Sequence, residues 1–570
     1  MAKNELSVAA RVHRRDRARA AASYLAIFLG LISLFAPVIA HLAGAAPLLF
    51  SGPLAAFPPF LYQISRIYII FGSFSLFVMA RYLRSGNRLA WGVSIALLVL
   101  IALFNIGKTI DWPVAVLSLA GAAWLAAKQA AFPVRPGKVL TRRSLLVGGA
   151  VLLLATIIAV GLLIHLVRDN AMSLGDGVRT LFSSLDVELH ERGEHPRLEL
   201  LLALVLSIVG LVMWHLHVAN HVREIGAQEH HEARERARSV IDAYGGGTLD
   251  YFALRDDKEW FFLKDSVLAY AIRGSVCLVS PDPIGPAEQR EEIWAEFMLW
   301  AEHHGLAVSV LAAGEESLPI YEDSGLHTVY LGDEAIVDCQ NFSLAGKKSK
   351  SLRQGHARIV RTGYSVQHVD PLQISDELKQ RLEALSLQSR QGEVERGFSM
   401  TLSRLFDPED KGLMLSIAFD AQGIAQAFIQ WMPASAANGW SLDVMRRSTA
   451  EDMPGGLMDF IIIETIGKLA TEGKHGLGLN FAVLRDAVAE DKNSSRFEKL
   501  VAQQASKHAQ VASLWKFNSK YDPQWQPRYA AVGTMDLWLA QGLSMAHAEG
   551  LAEFPSLPSF ASAATGRNKK

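Results

Sequence analysis

Six long apolar segments, all before residue 220, constrain this 570-residue chain more than any other feature. A helix needs roughly 17–25 mostly apolar residues to cross a bilayer. We predict membrane-spanning helices over residues 24–50, 57–80, 89–107, 112–127, 144–165 and 198–218. The fourth segment is short, and the second contains Arg66, which must reach the interface or face the helix bundle. The sequence therefore predicts a membrane domain of about six helices over residues 1–220.

Positive charges beside these segments indicate their orientation. The N-terminal segment and the second and fourth connections carry fourteen Lys or Arg residues, whereas the other three connections carry five. Because loops rich in Lys and Arg stay on the cytoplasmic side, we predict a multi-pass protein of the inner (plasma) membrane. Both termini and everything after residue 220 would be cytoplasmic. An anchor is the simpler interpretation of this domain, and a transport or lipid-flipping role is the alternative.

The remainder of the chain alternates strand-like and helix-like segments, which is typical of an α/β fold. A solvated juxtamembrane helix is predicted to stop at Gly245–Gly247. Three strands, a helix and two strands follow between residues 259 and 338, and a similar series recurs between residues 412 and 484. We predict two tandem α/β units, over residues 221–345 and 346–545, and a flexible tail over residues 546–570.

The segment AGKKSKSLRQGHARIVRTGY, residues 345–364, is strongly basic. It holds six Lys or Arg residues and no acidic residue between Lys347 and Arg361, in a chain of formal net charge -1. On a helix, one face holds Lys347, Lys350, Gln354, Arg358 and Arg361, while Leu352 and Ile359 lie together on another side. Solvated surfaces usually mix both signs, so this face favours anion binding. Nucleic-acid phosphate and anionic lipid headgroups are the two candidates.

Common catalytic signatures are missing from the sequence. It contains no GxSxG, HExxH, P-loop or GxGxxG motif and no Arg-rich, Gly-rich loop for the pyrophosphate of coenzyme A. Its two cysteines, Cys277 and Cys339, lack metal-ligand spacing. We therefore predict no metal site and no cofactor. Asp443 and Arg446 stand three residues apart at a strand end, where they suit an ammonium and an acyl or phosphate oxygen, or an ordinary ion pair.

Five segments together occur in the order and spacing of one protein family. They are LAGKKSKSLRQGHARIVRTGYSV, GEVERGFSM, SLDVMRRS with GGLMDF, LNFAVLRDA, and NSKYDPQWQPRYA. Over about residues 240–535 the chain resembles the phosphatidylglycerol lysyltransferases, the multiple-peptide-resistance-factor type of aminoacyl-phosphatidylglycerol synthases. It is most similar to the transferase part of the actinobacterial enzymes that are fused to a lysyl-tRNA synthetase.

The resemblance implies a fold, a reaction and a set of site residues. The fold would be two GNAT-like units in tandem, and the reaction would move an aminoacyl group, lysine by preference, from aminoacyl-tRNA to a glycerol hydroxyl of phosphatidylglycerol. The product would lower the negative charge of the membrane and give resistance to cationic antimicrobial peptides. Asp443 would bind the substrate α-amino group or side-chain ammonium, Arg446 a carbonyl or phosphate oxygen, and Glu395 the ammonium or a proton. The phosphate-contacting and pocket-lining candidates are Lys347, Lys348, Lys350, Arg353, Arg358, Arg361, Asn480 and Arg528.

The partners follow from this reaction, and two alternatives stay open. No synthetase follows the tail SFASAATGRNKK, so we expect a separate aminoacyl-tRNA synthetase to supply the charged tRNA. One alternative is a membrane-anchored GNAT-type acyltransferase that uses another acyl donor. The other is a non-catalytic module that binds RNA or anionic lipid through the basic segment.

Overall fold

In the computed structural model, the described residues are 8–42, 59–106, 112–134, 227–390, 397–402, 404–483 and 515–549. The chain divides into two compact units. The first comprises Met1–Glu224 with Leu299–Leu306, and the second comprises Ile225–Met298 with Ala307–Lys570. The last two predicted membrane segments and Glu395 lie outside the described residues.

The first unit is a group of packed apolar helices. They are α1 (Val8–Leu42), α2 (Pro59–Arg84), α3 (Arg88–Ile106) and α4 (Trp112–Ala127). Each packs on the next, α4 returns to α1, and small residues such as Ala22 and Ala26 line the interior. Large apolar side chains, Phe28 and Leu103 among them, are exposed. Within the described ranges, one helix, over Ala10–Phe35, is both long and apolar enough to cross a membrane, and α3 and α4 are shorter apolar helices.

Three connections of this unit meet at one end. Arg84 at the end of α2 forms an ion pair with Asp16 near the start of α1, with 2.5 Å between the nearest nitrogen and oxygen. Arg19 donates a hydrogen bond to the carbonyl oxygen of Ala131, just after α4. The start of α1, the end of α2 and the residues just after α4 therefore lie at the same end of this unit.

The second unit is built on one eleven-stranded sheet, in the order β1-β2-β3-β4-β11-β5-β10-β9-β8-β7-β6. Its strands are β1 (Glu259–Leu263), β2 (Ser266–Arg273), β3 (Val276–Val279), β4 (Ala307–Ala313), β5 (His327–Asp338), β6 (Ser365–Val369), β7 (Met414–Phe419), β8 (Ala425–Ala434), β9 (Gly439–Arg447), β10 (Gly476–Val483) and β11 (Gln524–Val532). Its helices are α5 (Ala227–Tyr244), α6 (Arg290–His304), α7 (Leu318–Asp323), α8 (Lys350–Arg361), α9 (Asp376–Arg390), α10 (Leu457–Thr471) and α11 (Met535–Ala548).

The two halves of this sheet repeat one plan. In each half, antiparallel strands lead to a parallel pair whose strands a helix connects: α6 joins β3 to β4, and α10 joins β9 to β10. The last strand of each half then pairs with the other half. β11 lies between β4 and β5, and β5 pairs with β10. The two α/β series predicted from the sequence therefore share a continuous sheet through exchanged strands.

The two faces of the second half are covered by different helices. On the first face, Leu352 and Ile359 of α8 and Phe460 of α10 pack against Val337, Trp431 and other strand residues. On the second face, Leu382 and Leu385 of α9 pack against Phe428 of β8 and Val444 of β9. Tyr251 and Phe252, with Ala237 and Ile241 of α5, contact Met432 on that face.

Helix α5 is less solvated than its sequence predicted. Ala237 and Ile241 are buried in a core cluster. Arg234 and Arg238 are also buried, and both donate hydrogen bonds to the carboxylate of Asp410. The prediction of a mainly solvated helix is therefore wrong for this face of α5, because buried arginines were paired with a carboxylate far along the chain.

Candidate functional site

A band of polar side chains crosses the second face of the sheet. Ala335, Leu442 and Trp431 pack on the first face, and side chains alternate along a strand, so their neighbours Glu334, Ser441 and Gln430 point to the second face. We call Glu334, Gln430, Ser441, Asp443 and Arg528 the polar band. Its members lie on β5, β8, β9 and β11, and Gly478 of β10 lies between them. Of the predicted site residues, Asp443 and Arg528 belong to the polar band.

Asp443 owes its direction to a β-bulge. Gln430 pairs with Val444 and Trp431 pairs with Leu442, so Asp443 is the extra residue in β9. Its side chain is 3% exposed. One carboxylate oxygen accepts a hydrogen bond from the Leu402 backbone N–H at 2.9 Å, and the other accepts one from Gln430 Nε2 at 2.7 Å. Bulges are used in this way to redirect side chains near active sites.

The bulge also brings Arg446 to the face that Asp443 occupies. Residues three apart on a regular strand point to opposite faces, but the extra residue shifts the alternation by one. Val444 packs with α9 on the second face, and Arg446 Nε donates to Ser386 Oγ of α9 at 3.3 Å. Arg446 NH1 also donates to the carbonyl oxygen of Met445. The predicted Asp443 and Arg446 pair therefore shares one face of β9.

The segment Gly397–Leu402, which begins with the residues GFSM of a family motif, is fixed beside Asp443 by several contacts. Arg255 donates to the carbonyl oxygens of Gly397 and Thr401. The buried Glu549 carboxylate accepts hydrogen bonds from the backbone N–H and the hydroxyl of Ser399. Burial raises the pKa of Glu549 above its ordinary value, while the two hydrogen bonds from Ser399 oppose that shift. These contacts hold the Leu402 N–H in place to orient Asp443.

Arg528 and Glu334 form the other end of the polar band. Arg528 Nε donates to Glu334 Oε2 at 3.0 Å, and a second guanidinium nitrogen donates to the same oxygen and to Thr248 Oγ1. Glu334 is fully buried. Burial by itself would lower the pKa of Arg528, but the charge of Glu334 and its hydrogen bond raise that pKa above its ordinary value. Arg528, predicted only as a pocket residue, is thus half of a buried ion pair.

Several buried oxygen atoms around the polar band accept no hydrogen bond from any described residue. They are Glu334 Oε1, Gln430 Oε1, Ser441 Oγ and Asn480 Oδ1. Asn480 lies at the bulge of β10 and has a left-handed backbone conformation, with φ of 66°. Sequence reasoning singled out Asn480 but missed Glu334 and Gln430. An acidic residue inside the apolar strand segment HTVYLGDEAIVD was the available signal for Glu334, since buried Glu is rare without a purpose.

The basic segment forms the predicted amphipathic helix but lies on the first face of the sheet. Helix α8 begins at Lys350, so Lys347 and Lys348 precede it in a turn, while Leu352 and Ile359 are buried as predicted. All six cations are exposed, and none forms an ion pair with a carboxylate among the described residues. Arg358 donates to the carbonyl oxygen of Gly455, and Arg353 to that of Gly346. The basic segment and the polar band therefore present their charges on opposite sides of the sheet.

The arrangement suits the binding of a charged substrate more than covalent chemistry. The polar band offers two buried carboxylates, a paired guanidinium and uncharged acceptors in a largely apolar surrounding, where electrostatic interactions are strong. Such a site can bind an ammonium group and hold an acyl oxygen near Arg446. Positioning and oxyanion stabilisation of this kind can support acyl transfer without an enzyme-bound intermediate.

Residues 238–532 match a protein family described as "Phosphatidylglycerol lysyltransferase, C-terminal". Among curated proteins, the chain is 28% identical over 511 residues to the lysylphosphatidylglycerol biosynthesis bifunctional protein LysX of Mycolicibacterium gilvum, covering 85% of this chain and 45% of that protein. It is 31% identical over 333 residues to the protein of the same name from Mycobacterium marinum, covering 57% of this chain and 30% of that protein. The chain thus spans less than half the length of these two relatives.

One solved structure is similar in both fold and sequence. L-PGS from Bacillus licheniformis superposes with a TM-score of 0.51 and 25% sequence identity, covering 58% of this chain and 99% of that chain. The matched share corresponds in size to the α/β part of the chain. The family match over residues 238–532 contains every predicted site residue.

Proposed function

Because the chain belongs to the phosphatidylglycerol lysyltransferase family, we propose that it transfers an aminoacyl group, lysine by preference, from aminoacyl-tRNA to a glycerol hydroxyl of phosphatidylglycerol. The observation that carries this proposal is the Asp443 carboxylate, which is buried, oriented by two hydrogen bonds and placed by a bulge on the same face as Arg446. A plain binding module has no need of a buried, oriented carboxylate beside a guanidinium.

The proposed reaction exchanges one ester for another. The glycerol oxygen forms a bond to the aminoacyl carbonyl carbon, the bond from that carbon to the ribose oxygen of tRNA breaks, and the glycerol proton ends on the ribose oxygen. The donor ester is already activated, so the enzyme must position both substrates, provide a proton path and stabilise the oxyanion. No covalent intermediate, metal or cofactor is required by this scheme.

The site residues receive roles within this scheme. Asp443 binds an ammonium group of the aminoacyl substrate, and Arg446 holds its carbonyl oxygen or a phosphate oxygen. Arg528 and Asn480 line the pocket, and Glu395, outside the described residues, keeps its predicted role in ammonium binding or proton transfer. The six exposed cations of the basic segment bind phosphate of tRNA or lipid, on the first face of the sheet.

In this proposal the membrane half anchors the enzyme in the bilayer that contains its lipid substrate. The exposed apolar side chains of α1–α4 and the clustering of three basic connections at one end support a multi-pass membrane domain with the α/β unit in the cytoplasm. An aminoacyl-tRNA synthetase supplies the aminoacyl-tRNA. The product carries less negative charge than phosphatidylglycerol, so the membrane surface attracts cationic antimicrobial peptides less strongly.

The proposal is tested with Asp443→Asn, which keeps the size of the side chain and an oxygen for the Leu402 N–H. Gln430 can turn its amide to face the new NH2 group, so the fold should survive. We expect mass spectrometry of total lipids, from a host that lacks such enzymes, to reveal phosphatidylglycerol heavier by one lysine residue with the wild-type chain. With Asp443→Asn this lipid should fall at least about 100-fold, the usual scale for loss of an oriented catalytic group.

The control is Asp452→Asn, the same substitution at an exposed residue of the same unit, which should leave the lipid unchanged. If the wild-type chain inserts into the membrane and no aminoacyl lipid forms, the transferase proposal is wrong, and coenzyme A binding would next test the acyltransferase alternative. If Asp443→Asn makes as much lipid as the wild type, the assignment of Asp443 is wrong.

A further inference from the structure

Glu334 is a buried carboxylate, and one of its two oxygens has no hydrogen-bond partner among the described residues. Its Oε2 accepts both hydrogen bonds from Arg528, while Oε1 accepts none from any described residue. A buried acceptor without a donor costs roughly 1–3 kcal/mol, and more when it is charged. A buried oxygen of this kind calls for an explanation, and a bound group that donates the missing hydrogen bond is one.

The unpaired oxygen of Glu334 converges with a second one. The point where a Cβ at Gly478 would lie is 3.1 Å from Ser441 Oγ and 3.5 Å from Glu334 Oε1. Ser441, like Glu334, is fully buried, and its hydroxyl has no partner in the described part of the chain. Both oxygens therefore border the small volume where a Cβ at Gly478 would lie, and Thr248 Cγ2 lies 3.4 Å from the same point.

The local charge favours a cation in this volume. Arg528 faces Glu334 on one side and Asp282 on the other, since both Arg528 NH1 and Asp282 Oδ2 lie within 3.3 Å of the point where a Cβ at Gly314 would lie. One guanidinium thus serves two carboxylates, and the surroundings carry excess negative charge. An ammonium group supplies a positive charge and three donors, which matches a carboxylate oxygen and a hydroxyl oxygen that both lack donors.

We propose that Glu334 and Ser441 bind the side-chain ammonium of a cationic amino acid, so that Glu334 determines the amino-acid specificity of the transfer. This inference rests on the proposed function, because it assumes that the polar band receives an aminoacyl group. Asp443, three strands away from Arg528 in the sheet, then binds the α-amino end of the same substrate. The chain would select lysine or a similar cationic residue through a buried acid on β5.

Glu334→Gln is the sharpest variant for this proposal. Its amide oxygen can still accept the hydrogen bonds of Arg528, so the pairing that supports the fold is retained. Its NH2 group replaces Oε1, which turns an acceptor into a donor and removes the negative charge. Glu316→Gln, at an exposed glutamate of the same unit with 88% side-chain exposure, is the matched control. Thermal unfolding of the variants compares their stability.

Two readouts are combined on the full-length chain in detergent. The first is calorimetric binding of lysine methyl ester and of norleucine methyl ester, which lacks the side-chain ammonium. The second is transfer from lysyl-tRNA and from norleucyl-tRNA to phosphatidylglycerol. We expect Glu334→Gln to weaken lysine ester binding and to lower kcat/KM for lysyl-tRNA by about 10- to 100-fold, the scale of one charge-assisted hydrogen bond. Binding of norleucine methyl ester and kcat/KM for norleucyl-tRNA should change less than threefold.

Ser441→Ala and Gly478→Ala support the same test without changing charge. Ser441→Ala removes one acceptor, and Gly478→Ala puts a methyl group into the volume beside Glu334 and Ser441. Both variants should therefore weaken the binding of lysine methyl ester more than that of norleucine methyl ester. Equal losses for lysine and norleucine, or no loss at all, would overturn the proposal while leaving the transferase function intact. A different result would be that no lipid product forms while lysine methyl ester still binds selectively and this binding depends on Glu334. That result would contradict the proposed reaction and support the ammonium site.

Discussion

Lys258 is a fully buried lysine beside the segment that orients Asp443. Its Nζ donates to the carbonyl oxygens of Phe252 and Ser280 and lies 4.4 Å from the ring centre of Phe398. Burial lowers the pKa of this ammonium to about 7, although the carboxylates of Asp257 and Glu549 oppose the shift and Arg255 adds to it. Its protonation is therefore linked to folding stability.

The sign of the linkage follows from the lowered pKa. Between about pH 7 and pH 10.5 the unfolded chain binds a proton at Lys258 that the folded protein has lost. The free energy of unfolding therefore gains about 1.4 kcal/mol per pH unit from this group as pH rises through that window, and the contribution is constant below it. We expect the unfolding midpoint of the wild type, relative to Lys258→Met, to rise between pH 7.5 and pH 9.5. Parallel midpoints for the two proteins would contradict this.

At this scale the residue types of the site could be predicted from the sequence, but the faces of the sheet to which their side chains point could not. The motif with Asp443 and Arg446 was predicted, yet a regular strand would have separated them on opposite faces. The bulge that reunites them depends on the pairing of β8 with β9, which no local pattern encodes. Glu334 and Arg528 form their ion pair across 194 positions of sequence, so Glu334 was missed for the same reason.

Among the elements, the parallel pairing of β9 with β10 depends on two glycines. A Cβ at Gly439 would lie 1.7 Å from the carbonyl oxygen of Gly476, a backbone atom that cannot move without separating the strands. We expect Gly439→Ala to destabilise the protein by about 3 kcal/mol or more, or to prevent its purification in folded form. Thermal unfolding of the purified protein measures the change.

The matched control is Gly467→Ala in α10, where a Cβ would meet no atom within 4 Å. The same substitution there should raise stability by about 1 kcal/mol, because alanine is the better helix former. A midpoint for Gly439→Ala that equals the wild-type value would show that the strands tolerate a wider separation than the structure has.

The exposed lysines at the start of α8 and in the turn before it carry the next prediction. Replacing Lys347, Lys348 and Lys350 together by Glu should raise KM for aminoacyl-tRNA about tenfold and flatten its dependence on salt, since fewer phosphate contacts release fewer counterions. The value of kcat should stay within about twofold, because α8 lies on the face opposite Asp443. Initial rates at 50 and 200 mM salt are the measurement, with Lys411→Glu as control. An unchanged KM for tRNA with weaker binding to anionic vesicles would assign these lysines to lipid.

The elements that were predicted correctly are those with a strong local pattern. The strands at 259–263 and 439–447 and helices α8 and α10 follow from apolar periodicity alone. Helix α9, β6 and β11 were not predicted as such. β11 is the segment QWQPRYAAV, whose Pro527 is unusual in a strand interior, and only its Arg528 was singled out, as a pocket-lining candidate. Its place between β4 and β5 is set by tertiary pairing.

For the whole molecule, the exchanged strands imply that the two halves of the sheet fold together. A fragment of residues 227–345 has β4 without β11, and β5 without either of its neighbours. We expect this fragment to lack cooperative unfolding and to be digested rapidly by protease, whereas residues 227–549 resist digestion. Circular dichroism and limited proteolysis of both fragments test this. A stable, cooperative 227–345 fragment would mean that each half closes on itself.

The position of β11 also has a consequence for synthesis on the ribosome. β4 ends at Ala313 and its partner β11 begins at Gln524, about 210 residues later. At roughly 5–20 residues per second, translation takes about 10 to 40 s to cover that distance. During this interval the edges of β4 and β5 that β11 later occupies have no native partner, so the nascent chain exposes strand edges that can pair wrongly. A chaperone that covers extended apolar strands, or a membrane surface that keeps neighbouring chains apart, would act in this interval.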